Sequence, residues 1–366
     1  MIKTSANAPE GAPGAAGDDG GAGAGEKSVR DVEQLEEMLS RPTPGVVETV
    51  SRLDGDVLVL GVGGKMGPTL ARMLRRAADA AGKGLRVIGV SRFSSGGLER
   101  ALRAHGIETI ACDLLDETQL RALPEAPNVM YMAGMKFGST GQAALTWAMN
   151  CQLPAMVCRR FSASRIAAFY TGNVYGLSPV ARGGSTESDA PRPDGEYAMS
   201  CLGRERMFEH FSRTLGTKVS LIRLNYATEL RYGVLVDLAR KVMAGETIDL
   251  SMGSVNVIWQ ADANAMAIRA FDRAASPPFL LNVAGPEQLS VRAVAEEFGR
   301  LLDQPVHFAG TESSDALLSN GQLGHELFGI PRVSAQQLIR RAAEWVRRGG
   351  ETSGKPTHFE SRDGKF

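Results

Sequence analysis

The sequence predicts an α/β fold, a doubly wound parallel sheet with a smaller C-terminal substrate lobe, and three observations lead to it. From Asp56 to Arg76 a short apolar strand run meets closely spaced glycines, which open a helix patterned for burial on one face. Strand and helix patterns then alternate as far as Tyr226, which implies parallel pairing through crossover helices. Beyond Tyr226 the alternation loosens into helices and short strands. A strand, a glycine turn and a helix in that order make the sheet Rossmann-like.

In chain order, residues 1–29 are mostly Gly, Ala, Asp and Pro, have little to bury, and are expected to be a disordered tail. Residues 30–54 form a helical extension. Its helix is expected over Ser28 to Leu39, with an apolar stripe at Val32, Leu35 and Leu39 and a stop at Pro42 and Pro44. Residues 55–225 are expected to be a dinucleotide-binding domain with strands at 56–60, 85–90, 107–111, 127–132, 165–170 and 218–224. Residues 226–345 form the lobe, with a helix from Tyr232 to Ala244, a strand from Val255 to Trp259 and a helix from Asp262 to Ala274. The lobe is interleaved with a last sheet strand at 279–283, and it should roof the C-terminal strand edge, where open α/β sheets bind ligands. Residues 346–366 are a C-terminal tail whose mixed aromatics and charges, from Lys355 to Phe366, suit docking onto the body.

Composition removes several classes of function. Forty-one basic and 41 acidic residues cancel, so no net field directs the chain to nucleic acid or an anionic membrane. No apolar run is long enough to span a bilayer and no secretory leader pattern opens the chain, so a cytoplasmic location is expected. Cys112, Cys151, Cys158 and Cys201 read as reduced core thiols, and five scattered histidines give no metal-ligand pair.

Gly61, Gly64 and Gly67 satisfy Gly-x-x-Gly-x-x-Gly, while the commoner Gly-x-Gly-x-x-Gly fails because Met66 stands where the third glycine belongs. A phosphate-binding P-loop fails too, since Lys65 is followed by Met66 and not Ser or Thr. Between a dinucleotide loop and a merely tight turn, the flanking strand and helix favour the dinucleotide, with Gly63 and Gly64 leaving the backbone open to a pyrophosphate. The second strand ends in Ser91-Arg92 with no carboxylate for the ribose hydroxyls. Arg92, with Lys65 as a second positive charge, therefore favours NADP over NAD, the alternative being a permissive site with both cations solvated. Asp113-Leu114 past the third strand suits an adenine contact or, equally, a cap for the helix at Glu117.

Together with Ala133-Gly134 after the fourth strand, Thr171-Gly172-Asn173-Val174-Tyr175-Gly176 after the fifth, and Tyr197 at a helix start, these motifs resemble the extended short-chain dehydrogenase/reductase superfamily. Within it the chain resembles the NAD-dependent epimerase/dehydratase family over residues 55–345. The resemblance implies that Thr171 binds the substrate oxygen, Tyr197 transfers the proton, and Asn150 supports the site geometry and its water contacts. It also departs from the pattern: four residues after Tyr197, where that family has Lys, stands Cys201. An unassisted tyrosine near pKa 10 is ionised in only about a thousandth of molecules at pH 7, so a cation must come from elsewhere. Lys136 is favoured, because Arg204, two turns beyond Tyr197, never gives up its proton. Tyr175 is a rival acid/base, read as mainly structural.

On the substrate side the resemblance makes Asn225 a cofactor-side contact, while the residues themselves make Arg231 a candidate for a substrate phosphate or carboxylate and Trp259-Gln260 a candidate stacking surface for a sugar; surface exposure and packing are the plainer alternatives. It implies hydride transfer at a carbinol or carbonyl carbon of a sugar or sugar derivative. It also implies a homodimer formed by the helix from Ala143 to Asn150 and the Tyr197 helix. The contrasting expectation, prompted by Cys201, is a dinucleotide-binding sensor or scaffold that has lost turnover.

Overall fold

A computed structural model describes residues 29–94, 96–136 and 141–364, so all but the last residue of the expected N-terminal tail lies outside the described residues. Its centre is a seven-stranded, wholly parallel sheet: β1 (Val57–Leu60), β2 (Val87–Ser91), β3 (Glu108–Ala111), β4 (Asn128–Tyr131), β5 (Arg165–Thr171), β6 (Lys218–Leu224) and β7 (Phe279–Val283). The spatial order is β7-β6-β5-β4-β1-β2-β3. The order reverses between β4 and β1, and the crevice at such a switch point is where these sheets bind ligands.

Period-2 alternation assigns each strand residue to one of two cores. Leu58, Leu60, Ile88 and Val90 enter one with Tyr131, Phe161 and Phe208, while Val57, Val59 and Val87 enter the other with Leu70 and Leu74. The second core is covered by α1 (Val32–Leu39), α2 (Pro44–Ser51) and α3 (Gly67–Ala80), with α4 (Gly96–Ala104) at its margin. The first is covered by α5 (Glu117–Ala122), α7 (Leu153–Arg160) and α8 (Gly195–Leu215), with α6 (Ala143–Trp147) packed outside on α8. With both faces buried, the strands read as continuous apolar runs.

The lobe contains α9 (Val234–Met243), α10 (Gln260–Arg269), α11 (Val291–Leu302), α12 (Gln322–Phe328) and α13 (Ala335–Arg347). α9, α11 and α13 pack on one another beside a short parallel pair, Thr247–Asp249 with His307–Ala309. After α13 the tail turns back across the lobe. Ser353 donates to the Arg231 carbonyl (2.9 Å), Thr357 donates twice to Asp237 Oδ2 (2.7 and 2.6 Å), and Phe359 is 1% exposed. Glu360 pairs with Lys241. No helix among the described residues is long and apolar enough to cross a membrane.

Several boundaries differ from expectation. Asp31 caps α1 by accepting from Gln34, so the helix starts later than Ser28. Pro44 does not merely end α1: capped by Thr43, it starts α2, because proline's missing N–H costs nothing in a first turn. The expected strand from Val255 to Trp259 is two short pairings. Ser254–Val255 runs antiparallel to Leu289–Ser290, and Ile258–Trp259 runs parallel to Ala227–Thr228. The next helix starts at Gln260, and its last turn, Ala270–Arg273, tightens to 3₁₀.

Candidate active site

The glycine loop is fixed by its own backbone. Gly61 and Val62 both donate to the Val90 carbonyl, Gly64 donates to Gly61 O (3.0 Å), and Gly67 donates to Gly64 O (3.1 Å). Gly61 has φ +83°, and a Cβ there would lie 2.6 Å from Ala133 N. A Cβ on Gly67 would lie 2.3 Å from Val62 O, so no side chain fits at either position. Gly63 and Gly64 are exposed. The amides of Gly63, Lys65 and Met66 have no acceptor in the described part of the chain, and no side chain caps α3. Unpaired amides at an uncapped helix start are the donor set that a pyrophosphate accepts from, so these residues fit a dinucleotide.

The adenosine end corrects one expectation. Lys65 is not paired with Arg92: its ammonium donates to the Ala227 carbonyl (3.2 Å) and lies 3.4 Å from the centre of the Tyr232 ring. Water reaches Lys65 through the cleft, yet the surrounding walls remove enough solvent to lower its pKa to about 7, against the pull of Glu229. Arg92 is exposed, and Ser91 Oγ abuts the loop, 2.5 Å from where a Cβ on Gly63 would be. Asp113 Oδ1 accepts from Leu115 N (3.1 Å), and Asp116, not Asp113, caps α5. The Leu114 side chain is buried in the core.

At the other end, Thr171 closes β5 and Tyr197 stands in the first turn of α8, both half-buried. The Tyr197 hydroxyl lies close to Thr171 and Cys201. Thr171 Oγ1 donates to Asn173 Oδ1 (2.9 Å) and accepts from Asn173 N (3.2 Å). Burial pushes the Tyr197 hydroxyl well above its usual pKa, Cys201 adds to this, and Arg204 and Thr171 oppose it. A bare phenol here is a poor base.

Two cations answer that deficit. The Lys136 ammonium lies 6.0 Å from the centre of the Tyr197 ring, and burial lowers its pKa to about 8 while Cys201 raises it. Arg204, favoured less from sequence, is 6% exposed and points back along α8. It donates to Phe169 O (3.1 Å) and to Asn150 Oδ1, and sits 5.8 and 5.7 Å from the Tyr131 and Tyr170 ring centres. Its Nε has no partner, and a Cβ on Gly134 would lie 2.1 Å from its Nη2, so a glycine after β4 is what admits it.

Asn150 ties these pieces together from a π-helical turn, Ala148–Gln152, between α6 and α7. Fully buried, it accepts from Met135 N (3.0 Å) and donates to Met135 O (3.1 Å) and Ser200 Oγ (2.9 Å). The loop that presents Lys136 is thereby tied to the helix that presents Tyr197. The cavity here is about 210 Å³, lined by Gly64, Lys65, Met66, Gly134, Lys136, Tyr197 and Arg204 among others.

Other candidates fall elsewhere. Tyr175 donates to Asn282 Oδ1 (2.8 Å) under the Arg223 guanidinium, and burial raises its pKa to about 12, so it packs beneath the site. Asn225 does not face the cleft: it is 2% exposed and donates to Asn256 Oδ1 (2.7 Å), leaving Leu224 on the wall. Arg231 pairs with Glu36 of α1 (2.7 Å) and with Glu229, on the wall of the groove beside Gly63 and Gly64 and not in the cavity of Tyr197. Trp259 is 2% exposed and packs, and Gln260 donates to Thr69 (3.1 Å). Asn173 escapes a reading of the sequence, although a Thr two residues before an Asn suits a side-chain turn. Tyr232 and Ser200 escape it too, because their contacts carry no local signal.

The sequence signature of the NAD dependent epimerase/dehydratase family matches residues 57–250. No curated protein matches the chain. Among solved structures, the UDP-glucose 4-epimerase of Thermotoga maritima, crystallised with UDP-glucose, is 18% identical with a TM-score of 0.65, over 80% of this chain and 99% of that one. A dTDP-glucose 4,6-dehydratase of Streptomyces venezuelae with NAD bound is also 18% identical, with a TM-score of 0.67, over 80% and 97%. The UDP-glucuronic acid 4-epimerase of Bacillus cereus with NAD is 15% identical, with a TM-score of 0.65, over 80% and 99%. At these identities the structures share the fold with this chain.

Proposed function

The chain belongs to the NAD dependent epimerase/dehydratase family, a family of enzymes, and from that premise we propose that it performs hydride transfer at a carbinol or carbonyl carbon of a sugar or sugar derivative. The observation that carries the reading is Tyr197 in the first turn of α8, its hydroxyl close to Thr171 at the end of β5, lining one cavity with Lys136 and Arg204. The nicotinamide, when bound, supplies the hydride acceptor and donor.

The residues divide the remaining work. Thr171 orients the substrate oxygen, and Tyr197 takes the hydroxyl proton as the carbinol carbon loses hydride, or returns it in the reverse direction. The fixed Arg204 charge opposes the burial that keeps Tyr197 protonated, which the residue at position 201 cannot do, and the Lys136 ammonium, 6.0 Å from the Tyr197 ring, is the second cation at hand. Asn150 holds both cation-bearing segments in place. Gly61, Gly63, Gly64, Lys65, Met66, Gly67, Ala133 and Gly134 form the cofactor wall. A pure binder needs neither Tyr197 nor Thr171, so the paired hydroxyls favour turnover over a sensor role.

At the adenosine end no carboxylate closes β2 and Arg92 is exposed, which supports tolerance of a 2′-phosphate. NADPH and NADH titrated separately test this, and a clear preference for NADH removes it. Leu145 and Trp147 on α6 and Met199 on α8 are exposed at 42%, 39% and 40%, and they support a homodimer through these helices. Sedimentation with only monomer at micromolar concentration removes that. For the reaction, the protein is incubated with NAD or NADP and a panel of polyols, sugars and nucleotide sugars, with nicotinamide absorbance and product analysis read together. Tight cofactor binding without turnover on any of them overturns the proposal.

A further inference from the structure

Three cations line the cavity of Tyr197, and no carboxylate among the described residues does. Lys65 comes from the glycine loop, Lys136 from the loop after β4 and Arg204 from α8, and the rest of the lining is Gly, Met, Phe, Tyr and Leu. The carboxylates that pull on Lys65 are already engaged: Glu229 pairs with Arg231 (3.1 Å) and accepts from its backbone amide (3.0 Å), and Asp237 accepts twice from Thr357. Arg204 is answered by a carbonyl and an amide oxygen, Phe169 O and Asn150 Oδ1. A cofactor pyrophosphate would find its donors in the backbone amides of Gly63, Lys65 and Met66. The Lys65 side chain leaves that loop and crosses to the lobe. Its ammonium donates to Ala227 O (3.2 Å) and rests 3.4 Å from the centre of the Tyr232 ring, a seat that holds a cation in place and carries no negative charge.

We infer that the cleft selects a sugar bearing its own oxyanion, a carboxylate or a phosphate ester, and that the Lys65 ammonium, with Lys136 in the same cavity, is the group that selects it. The inference rests on the hydride-transfer reading, which puts the reacting carbon at Tyr197. Lys136 stands 6.0 Å from the centre of that ring, so an acid group a carbon or two from the reacting one comes within reach of a lysine. Like charges drawn out of water without a counter-ion are costly, and both lysines register it. Loss of solvent lowers Lys65 to about 7, with Lys136 and Arg231 adding to the effect against Glu229 and Asp237, and burial lowers Lys136 to about 8. An anion beside them removes that cost and favours both protonated forms. A neutral hydroxyl cannot, and a charge-assisted hydrogen bond is roughly twice as strong as a neutral one. The selection concerns the acid group on the sugar and is indifferent to whether a nucleotide is attached.

The test is calorimetric titration of the full chain, saturated with NAD, with three pairs that differ in the acid group: UDP-glucuronate with UDP-glucose, D-glucuronate with D-glucose, and glucose 6-phosphate with D-glucose. The diphosphate is common to both members of the first pair and cancels. In at least one pair the acid is expected to bind at least tenfold more tightly than its neutral counterpart, and the pair that shows it tells a carboxylate from a phosphate. Lys65→Met should lower that preference at least fivefold, with NAD affinity within threefold of wild type because the backbone amide at position 65 is retained, and Lys65→Arg should keep the preference. A preference below tenfold in every pair, a Lys65→Met protein that keeps it, or one that loses NAD affinity as much as affinity for the acid, overturns the inference. Turnover of neutral sugars beside any of these leaves the hydride-transfer reading standing. NAD binding with no affinity for any of the sugars overturns both.

Discussion

At the glycine-loop end of the cleft, the groups that shape the site are mostly backbone: the loop's own amides and carbonyls, held by the Val90 carbonyl of β2 and packed on Ala133 after β4, with backbone supplying the anion-binding groups. At the Tyr197 end the site is assembled from four separated segments: the loop after β4, the π turn, the end of β5 and helix α8, which brings both Tyr197 and Arg204. The contrast teaches where substitution is tolerated. A backbone site has no side chain to exchange, whereas a site of convergent side chains can lose a cation at one position and gain it at another.

The comparison breaks first, and hardest, at Tyr197. Tyr197→Phe is expected to lower kcat by about 10²–10⁴-fold with NAD affinity unchanged; an active variant moves the proton-transfer role elsewhere. At the opposite end, Gly61→Ala forces a Cβ onto Ala133 N at positive φ and should cost about 1–3 kcal/mol in urea unfolding and weaken NAD binding. Gly64→Ala meets nothing nearer than Gly61 O at 3.4 Å and should be close to neutral in stability, so equal effects at the two positions would deny that the loop is shaped as described. Tyr175→Phe leaves Asn282 Oδ1 without its donor and should cost about 1–3 kcal/mol while kcat stays near wild type; a collapse in kcat would make Tyr175 the acid/base.

The finest test is pH. Lys136 has its pKa lowered to about 8, so its ammonium is present below that value and lost as pH rises through it. If the charged form assists Tyr197, kcat declines above pH 8, and Lys136→Arg, charged throughout, should remove that limb. A profile that Lys136→Arg leaves unchanged assigns the assistance to Arg204 alone.

The same contrast explains what was legible in the sequence. The glycine loop and the strands around it were readable because their determinants are local: glycines at fixed spacing and apolar runs bounded by turns. Tyr197 and Thr171 were readable through an ordered set of motifs, and the gap at Cys201 showed that a cation had to come from elsewhere. That Arg204 enters the same cavity as Lys136 was readable only as the less favoured alternative, because Gly134 makes room for it from 70 residues away in sequence. Asn225 and Arg231 were misplaced for a related reason: burial against Asn256 and pairing with Glu36 of a separate helix leave no trace in their own neighbourhoods. Pro44 was read as a stop and not a start, since proline serves both ends of a helix until the preceding cap is recognised.

The π-helical turn at Ala148–Gln152 has a consequence for how the gene tolerates insertion and deletion. Such a turn holds one residue more than the α form, and losing any one of its five would let the segment relax into regular helix. The flanking helices would keep their faces, but Asn150 would leave the position from which it reaches Met135, Ser200 and Arg204. Shortening this stretch by one codon should therefore inactivate the protein even where every named side chain is retained.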